Sequence, residues 1–111
     1  MKKPLHLRSI AECAREIASG ALSPVELTEA CLSVIEKHNP DVNAFLEVTA
    51  DLALDQARAA EEEIRRIGPR SPMHGIPFAL KDIYDTRKIA TTGNSALYQN
   101  RIPVNDSACT E

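Results

Sequence analysis

The segment His74–Asp82, with the sequence HGIPFALKD, constrains the fold of this chain more than any other stretch. Gly75 and Pro77 enclose a single isoleucine, and this spacing predicts a turn with few allowed backbone conformations. The residues that follow carry no charge, and a short apolar run bounded by turn signals is typical of a strand buried on both faces. The sequence therefore predicts a core strand at about residues 76–81, which ends at Lys81.

Lys81 is the residue of this segment with the clearest chemical use. A lysine at the end of a strand usually carries its charge into solvent and lays its stem along apolar surface. Among apolar neighbours, however, the loss of hydration favours the neutral amine, which can accept a proton. Asp82 comes next, and neighbouring residues of a strand point to opposite faces. We therefore expect Asp82 to fix the following turn and not to pair with the lysine.

Three stretches with apolar residues at helical spacing predict helices, at residues 10–19, 24–38 and 50–67. Ser9 and Glu12 have the spacing of a capping box, in which each side chain satisfies the backbone N–H of the other residue. Ser23 and Glu26 repeat this spacing, with Pro24 at the first helical position, where its missing N–H costs nothing. Both helix starts are therefore predicted from side-chain chemistry as well as from periodicity.

Glycine and asparagine mark the predicted helix ends. Gly20 and Gly68 end the first and third helices, and Asn39 is predicted as a left-handed cap of the second, before Pro40. Residues 42–48 predict a short extended segment. The predicted buried faces are Ile10, Cys13, Ala14 and Ile17 in the first helix, Leu27, Cys31, Val34 and Ile35 in the second, and Ala50, Ala53, Ala57, Ala60, Ile64 and Ile67 in the third.

Composition excludes several classes of function. Sixteen acidic and 13 basic residues give a net charge of −3, which argues against a nucleic-acid surface. No signal peptide and no apolar run of membrane-spanning length is visible. The three cysteines, Cys13, Cys31 and Cys109, are widely spaced and fit reduced thiols of a cytoplasmic protein, not a disulfide frame or a zinc site. With two Phe, two Tyr and no Trp, the available core is modest.

The sequence PMHGIPFALKD, followed by Thr91, Thr92, Gly93 and Ser95, closely resembles the amidase signature family, and the resemblance extends over Ser9–Phe45. Members of that family have an α/β/α fold and hydrolyse amides with a serine, a second serine in a cis peptide bond and a lysine. The resemblance implies that Lys81 is the catalytic lysine. It also implies a small-molecule amide substrate, a structural turn at TTGNS, and neither a cofactor nor a metal.

Three other candidate sites have simpler explanations. Gly93 and Ser95 form a G-x-S pattern, but Leu97 stands where a nucleophile elbow needs its second glycine. His74 is tempting as a general base, but a histidine in a loop before glycine is predicted to be structural. Three consecutive glutamates, Glu61–Glu63, fan around a helix axis, so they predict a solvated face and not a metal site.

We expect residues 1–111 to be the amino-terminal part of a single amidase domain. Asn105–Ser107 predicts a helix cap, followed by a single turn at residues 108–111 that would continue further, and the family's two serines are expected beyond residue 111. Three interpretations remain open. The favoured one is an amidase; the second is the glutamine-hydrolysing A subunit of a tRNA-dependent amidotransferase; the third is a non-catalytic remnant that acts at most as an interaction module. Alone, the chain is expected to be inactive and marginally stable.

Overall fold

The computed structural model describes residues 3–111, which divide into two compact units. The helical unit comprises the described residues up to Pro77, and the loop unit comprises Phe78–Glu111. The helical unit contains a short 3₁₀ helix, Leu5–Leu7, and three α-helices: α1 (Ile10–Ala18), α2 (Pro24–Val42) and α3 (Ala50–Ile67). The loop unit contains the 3₁₀ helix Ala96–Tyr98 and is otherwise built from turns.

Helix α1 begins with the predicted capping box. The Glu12 N–H donates to Ser9 Oγ at 3.2 Å, and the Ser9 N–H donates to the Glu12 carboxylate at 2.7 Å. These bonds hold the pKa of Glu12 below its ordinary value, chiefly because its carboxylate accepts the Ser9 N–H. The helix ends at Ser19, and Gly20 follows at a φ of +76°. Both predicted ends of this helix are confirmed.

Helix α2 begins at Pro24, as predicted, but with half of a capping box. Ser23 Oγ accepts the N–H groups of Val25 at 3.0 Å and Glu26 at 3.2 Å. The Ser23 N–H does not donate to the Glu26 carboxylate. The serine alone therefore satisfies two of the free N–H groups at this helix start.

The predicted end of α2 near His38 is wrong. The helix continues through Pro40 to Val42, and Asn43, at φ 49° and ψ 39°, is its left-handed cap. The proposed cap, Asn39, lies within the helix, and its side-chain amide bonds both backbone groups of Phe45, at 2.8 and 3.0 Å. Those bonds hold the chain after the helix, and proline removes only one bond of the last turns.

Helix α3 has the predicted bounds, Ala50–Ile67, and packs against α2. Gly68 ends it at a φ of +82°, whereas Thr49 at its start makes no side-chain capping bond. Ala57, near the middle of the predicted buried face of this helix, is buried, but Ile67 at the end of that face is exposed. The predicted buried face of α3 is therefore confirmed at Ala57 and wrong at Ile67.

The core of the helical unit is small. Its buried cluster consists of Cys13, Ile17, Leu22 and Leu27. The partly buried residues packed against this cluster are Leu5, Cys31, Ile64 and Ile76. Ile10, predicted to be buried, is exposed. None of the large side chains described is completely removed from solvent, in agreement with the modest core predicted from composition.

The predicted α/β architecture is not seen, because residues 3–111 contain three helices and no strand. The segment 76–81 lacks strand pairing, and the extended segment predicted at 42–48 is helical at Val42 and irregular afterwards. The pairing found is a single antiparallel bridge between Thr86 and Ile89. A strand needs a hydrogen-bonded neighbour, and no part of the described chain offers one to residues 76–81.

No helix among residues 3–111 combines the length and the apolar character needed to cross a membrane.

Candidate functional site

His74 lies in the helical unit, in the loop after α3. Its Nδ1 accepts the N–H of Arg70 at 3.2 Å, and its Nε2 lies 3.4 Å from a carboxylate oxygen of Glu63. The same oxygen accepts a 2.7 Å bond from the Arg70 guanidinium. Both ring nitrogens therefore contact groups that hold the loop to the helix, which supports the predicted structural role.

Gly75 follows at a φ of +86°, in the conformation that favours glycine. A Cβ atom at this position would lie 2.8 Å from Pro24 Cγ and 3.3 Å from Ile64 Cδ1. Glycine is thus required both by the backbone angle and by the close approach of α2 and α3. The G-I-P pattern marks the turn predicted from it.

The three consecutive glutamates of α3 are engaged separately or face solvent. A carboxylate oxygen of Glu61 lies 3.6 Å from the guanidinium of Arg65, and the Glu63 carboxylate forms an ion pair with Arg70. Glu62 is exposed to solvent. No group of three potential metal ligands occurs among residues 3–111.

Lys81 lies in the loop unit, where its carbonyl oxygen begins a tight turn. That oxygen accepts the N–H groups of Ile83 at 2.7 Å and Tyr84 at 3.1 Å. The lysine itself is exposed, and its amine makes no hydrogen bond or ion pair within the described chain. The predicted apolar wall is also exposed, with Phe78 at 69% and Leu80 at 37%. The expected burial of this segment is therefore wrong for residues 3–111, since nothing in them covers it.

Asp82 fixes the turn after Lys81 through a set of bonds that we call the aspartate clamp, formed by Asp82 with Thr92, Gly93 and Asn94. Its carboxylate accepts the N–H of Thr92 at 2.9 Å, the N–H of Asn94 at 3.2 Å and the Thr92 hydroxyl. Its carbonyl oxygen accepts the N–H of Gly93 at 2.7 Å. The predicted role of Asp82 is confirmed.

The partner of Asp82 is a tight turn over Thr92–Ser95, closed by a 3.0 Å bond from the Ser95 N–H to the Thr92 carbonyl. Gly93 and Asn94, its central residues, have φ angles of 58° and 55°. Asparagine tolerates this left-handed region better than most residues. Ser95 Oγ accepts the N–H of Leu97, so this serine caps a 3₁₀ helix, in agreement with rejection of a nucleophile elbow.

A second carboxylate of the loop unit, Asp85, binds Arg101 through two parallel bonds of 2.6 and 2.8 Å. The Arg101 guanidinium also donates to the Thr91 carbonyl at 3.2 Å, and the Asp85 carbonyl accepts the N–H of Ser107 at 2.8 Å. Sequence reasoning missed this pair. Opposite charges 16 residues apart carry no signal of contact without a known turn between them.

Hydrogen bonding lowers the pKa of both aspartates of the loop unit. The Thr92 hydroxyl is the main cause for Asp82, followed by the Thr92 N–H. The Arg101 side chain is the main cause for Asp85. Each carboxylate is therefore held in its ionised form.

The single turn predicted after Asn105–Ser107 is present, but no side chain of these three residues caps its N–H groups. Asp106 instead accepts the N–H of Arg87 at 2.6 Å, and residues 108–110 form a turn. The N–H groups of Thr110 and Glu111 both donate to the Ser107 carbonyl. Thr110 also donates its hydroxyl to the Asp85 carbonyl at 2.9 Å, which ties this turn to the rest of the loop unit.

An open cleft of about 360 Å³ lies beside the clamp. Its lining residues are Asp82, Ile83, Thr91, Thr92, Gly93, Tyr98 and Arg101. Lys81 is not among them. The described residues thus present a lysine on a fixed backbone, with no serine hydroxyl bonded to its amine.

A sequence model of the family described as Amidase matches residues 26–111. This chain belongs to the amidase family. The match includes all of the segment His74–Asp82 and the turn Thr92–Ser95, and it begins within α2.

Curated relatives share the amidase-family sequence over more of the chain. The glutamyl-tRNA(Gln) amidotransferase A subunit from Streptomyces coelicolor is 45% identical over 101 residues, which are 91% of this chain and 20% of that protein. The A subunits of the same name from Chloroflexus aggregans and Marinobacter nauticus are 42% and 38% identical, over 84% and 96% of this chain. They are covered over 19% and 22% of their own length. The chain therefore spans about a fifth of the length of these relatives.

Proposed function

We propose that residues 1–111 are the amino-terminal part of an amidase-family hydrolase that cleaves the C–N bond of a carboxylic amide. The proposed machinery is a nucleophilic serine, a second serine in a cis peptide bond and Lys81. One observation carries the proposal: the family match includes the complete HGIPFALKD segment. The resemblance of this segment to the family's signature implies that Lys81 is the catalytic lysine. Relatives about five times longer than the part matched here have room for both serines elsewhere.

Amide hydrolysis needs a nucleophile, a group that takes its proton, and donors for the oxyanion. In this proposal Lys81 takes the proton, which requires a neutral amine in apolar surroundings. Exposed apolar residues on either side of Lys81, Phe78 at 69% and Ile83 at 56%, support such surroundings, because they form a surface that further protein would cover. With a neighbouring strand supplied, residues 76–81 would become the first core strand of an α/β/α fold.

A second candidate is the A subunit of a tRNA-dependent amidotransferase, in which the same site releases ammonia from glutamine for a partner protein. The relatives are named as this subunit of glutamyl-tRNA(Gln) amidotransferase, and that name favours the second candidate. Hydrolysis of L-glutamine that depends on a partner protein would also favour it. Hydrolysis of propionamide by the protein alone would favour a free-standing amidase. If neither substrate is hydrolysed, the interpretation as a non-catalytic interaction module gains support.

Two substitutions in the full-length protein containing this segment test the role of Lys81, with ammonia release from L-glutamine and propionamide as the assay. Lys81→Ala should lower kcat by about 10²- to 10⁴-fold, the usual contribution of acid–base catalysis, with a smaller effect on KM. Lys81→Arg should be nearly as damaging, since a guanidinium stays charged and cannot accept the proton. Lys37→Ala, on the exposed face of α2, is the matched control and should leave kcat unchanged.

Retention of most of the wild-type kcat by Lys81→Arg would contradict the proposal, because a lysine that holds only a surface charge tolerates arginine. The 111-residue chain alone gives a second test. A serine-directed fluorophosphonate probe should not label it stoichiometrically, since the proposed nucleophile is not among its serines.

We also place the protein in the cytoplasm and expect no nucleic-acid contact through this segment. The cysteines of the described chain are free, and the net charge is −3. Retention of the segment on a heparin or tRNA column at physiological salt would contradict the second expectation.

A further inference from the structure

We propose that Asp82 and Thr92 are positioning residues for Lys81, and that the aspartate clamp holds the lysine's backbone where its amine must act. The inference rests on the proposed function and adds two residues to it. Lys81 and all residues of the clamp lie in the loop unit, Phe78–Glu111.

The clamp uses more bonds than a turn needs. The turn Thr92–Ser95 already closes itself through its own backbone bond. Asp82 adds four bonds to it, three to its carboxylate and one to its carbonyl oxygen. These extra bonds join the turn to the segment that carries Lys81, 10 to 12 residues earlier in the chain.

The lysine's own carbonyl is fixed as well. It accepts two N–H groups, from Ile83 at 2.7 Å and from Tyr84 at 3.1 Å. The peptide group between Lys81 and Asp82 is therefore held on one side by this tight turn and on the other by the clamp. No side chain of the described residues holds the lysine's amine, so the backbone is what sets its starting position here.

A carboxylate at position 82 is chemically necessary for this arrangement. Its oxygens accept from three donors, of which the Thr92 hydroxyl is one. An asparagine side chain has only one oxygen acceptor, and its NH₂ would face donors. At position 92, valine has nearly the shape of threonine without the hydroxyl, whereas serine keeps the hydroxyl.

The test uses Thr92→Val, Thr92→Ser and Asp82→Asn in the full-length protein, assayed by ammonia release as for Lys81. Thr92→Val should lower kcat about 10- to 100-fold, as displacement of a reacting group by a fraction of an ångström does, with little change in KM. The pH midpoint of kcat should move, because a displaced amine meets different surroundings. Thr92→Ser should have the kcat and the pH midpoint of the unmodified protein. Asp82→Asn should show the same loss of kcat and the same shift of the pH midpoint as Thr92→Val.

A double variant shows whether Thr92 acts through the lysine. Added to Lys81→Ala, Thr92→Val should reduce kcat by no more than about twofold further, since residues that act as one unit are strongly non-additive. Ser9→Ala, which weakens the α1 cap far from the clamp in sequence, controls for a general loss of stability. It should lower Tm and leave kcat and its pH midpoint unchanged.

The outcomes separate the two proposals. If Lys81→Arg keeps its kcat, the proposed function fails, whatever Thr92→Val does. If Lys81→Arg loses kcat but Thr92→Val keeps both kcat and the pH midpoint, only the positioning role is overturned. It is overturned also if Thr92→Val costs the same factor with and without Lys81, or if Ser9→Ala lowers kcat as much as Thr92→Val does.

Discussion

The helical unit and the loop unit are held together by different forces. In the helical unit, four buried apolar residues form the core, two of them on α1, one on α2 and one between these helices. In the loop unit the buried residues are Thr91 and Pro103, and two ionised carboxylates hold the turns through side-chain bonds. The first unit depends on apolar volume, and the second depends on polar atoms at fixed positions.

This difference predicts different sensitivities. Burial of apolar area is non-directional, so the helical unit should respond most to a loss of packed volume. Hydrogen bonds to a carboxylate need that carboxylate ionised, so the loop unit should respond to pH and to exchanges of one polar atom for another.

The largest effect on stability is expected from the core of the helical unit. Leu27, 4% exposed, lies in the buried cluster, and Leu27→Ala should cost about 2–5 kcal/mol of unfolding free energy. Far-UV circular dichroism during urea unfolding measures the loss. Leu52→Ala, at an exposed site of α3, is the matched control and should cost less than about 0.5 kcal/mol. Equal losses in the two variants would show that the helical unit does not depend on its core.

The next effect separates backbone strain from close packing. Gly75→Ala should cost about 1–3 kcal/mol, because it adds a contact with Pro24 to the strain of a positive φ. Gly20→Ala has the same type of strain, but no atom lies within 4 Å of the added Cβ, so about 1 kcal/mol is expected. Thermal melts of both variants give the comparison. A cost for Gly20→Ala as large as that for Gly75→Ala would assign the whole effect to the backbone angle.

A smaller effect is expected at the start of α1. Ser9→Ala removes one half of the capping box and should cost about 1 kcal/mol. Ser19→Ala, at the other end of the helix, removes only an exposed bond to the Glu16 carbonyl and should cost less. The urea midpoints of the two variants, measured at the same pH, give the comparison. A larger loss of stability in Ser19→Ala than in Ser9→Ala would contradict a stabilising role of the capping box.

The smallest change in overall stability, and the one that most clearly distinguishes the units, is expected on acidification. The pKa values of Asp82 and Asp85 lie below the ordinary aspartate value of 3.8 when the unit is folded. The stability that these two carboxylates contribute to the loop unit is therefore present above about pH 3.8. It is lost as the pH falls through their lowered pKa values in the folded unit. Backbone amide signals of Thr92 and Asn94 should weaken there before those of Leu27. Glu12, whose pKa is also lowered, should let only the start of α1 fray.

Asp82→Asn tests the cause of this pH dependence. At neutral pH the variant should show roughly tenfold faster amide exchange at Thr92, since charge-assisted bonds are about twice as strong as neutral ones. The acid transition of the Thr92 signal should disappear with the carboxyl. Asp55→Asn, at an exposed surface pair of α3, should alter neither measurement. If the Thr92 transition persists in Asp82→Asn, another group controls it.

The starts of α1 and α2 could be predicted from the sequence because they depend on residues no more than three positions apart. Ser9 with Glu12 gave the first start, and Pro24 after Ser23 gave the second. The end of α2 could not be predicted, since the bonds between the Asn39 side chain and the Phe45 backbone form only once the chain has turned back. Propensity alone favoured a stop at Pro40, and the folded contacts overrode it.

In the candidate site, too, features set by neighbouring residues could be predicted, and features set by distant contacts could not. Asp82 was predicted to fix the following turn, because it follows Lys81 directly and the strand pattern turned it away from the lysine. The pair of Asp85 and Arg101 was missed, as its 16-residue separation leaves no local signal. The strand at residues 76–81 was predicted from apolar character, but a strand also needs a neighbour to pair with, which sequence pattern does not reveal.

The short sequence separation of the aspartate clamp has a consequence for how the chain folds during synthesis. Contacts across roughly ten residues form in about 10–100 ns, whereas a ribosome adds about 5–20 residues per second. Once Asn94 has left the ribosome, the clamp can close before the next amino acid is added. We therefore expect Lys81 to stand on a preformed turn from the beginning, as a template onto which any later segment must fold.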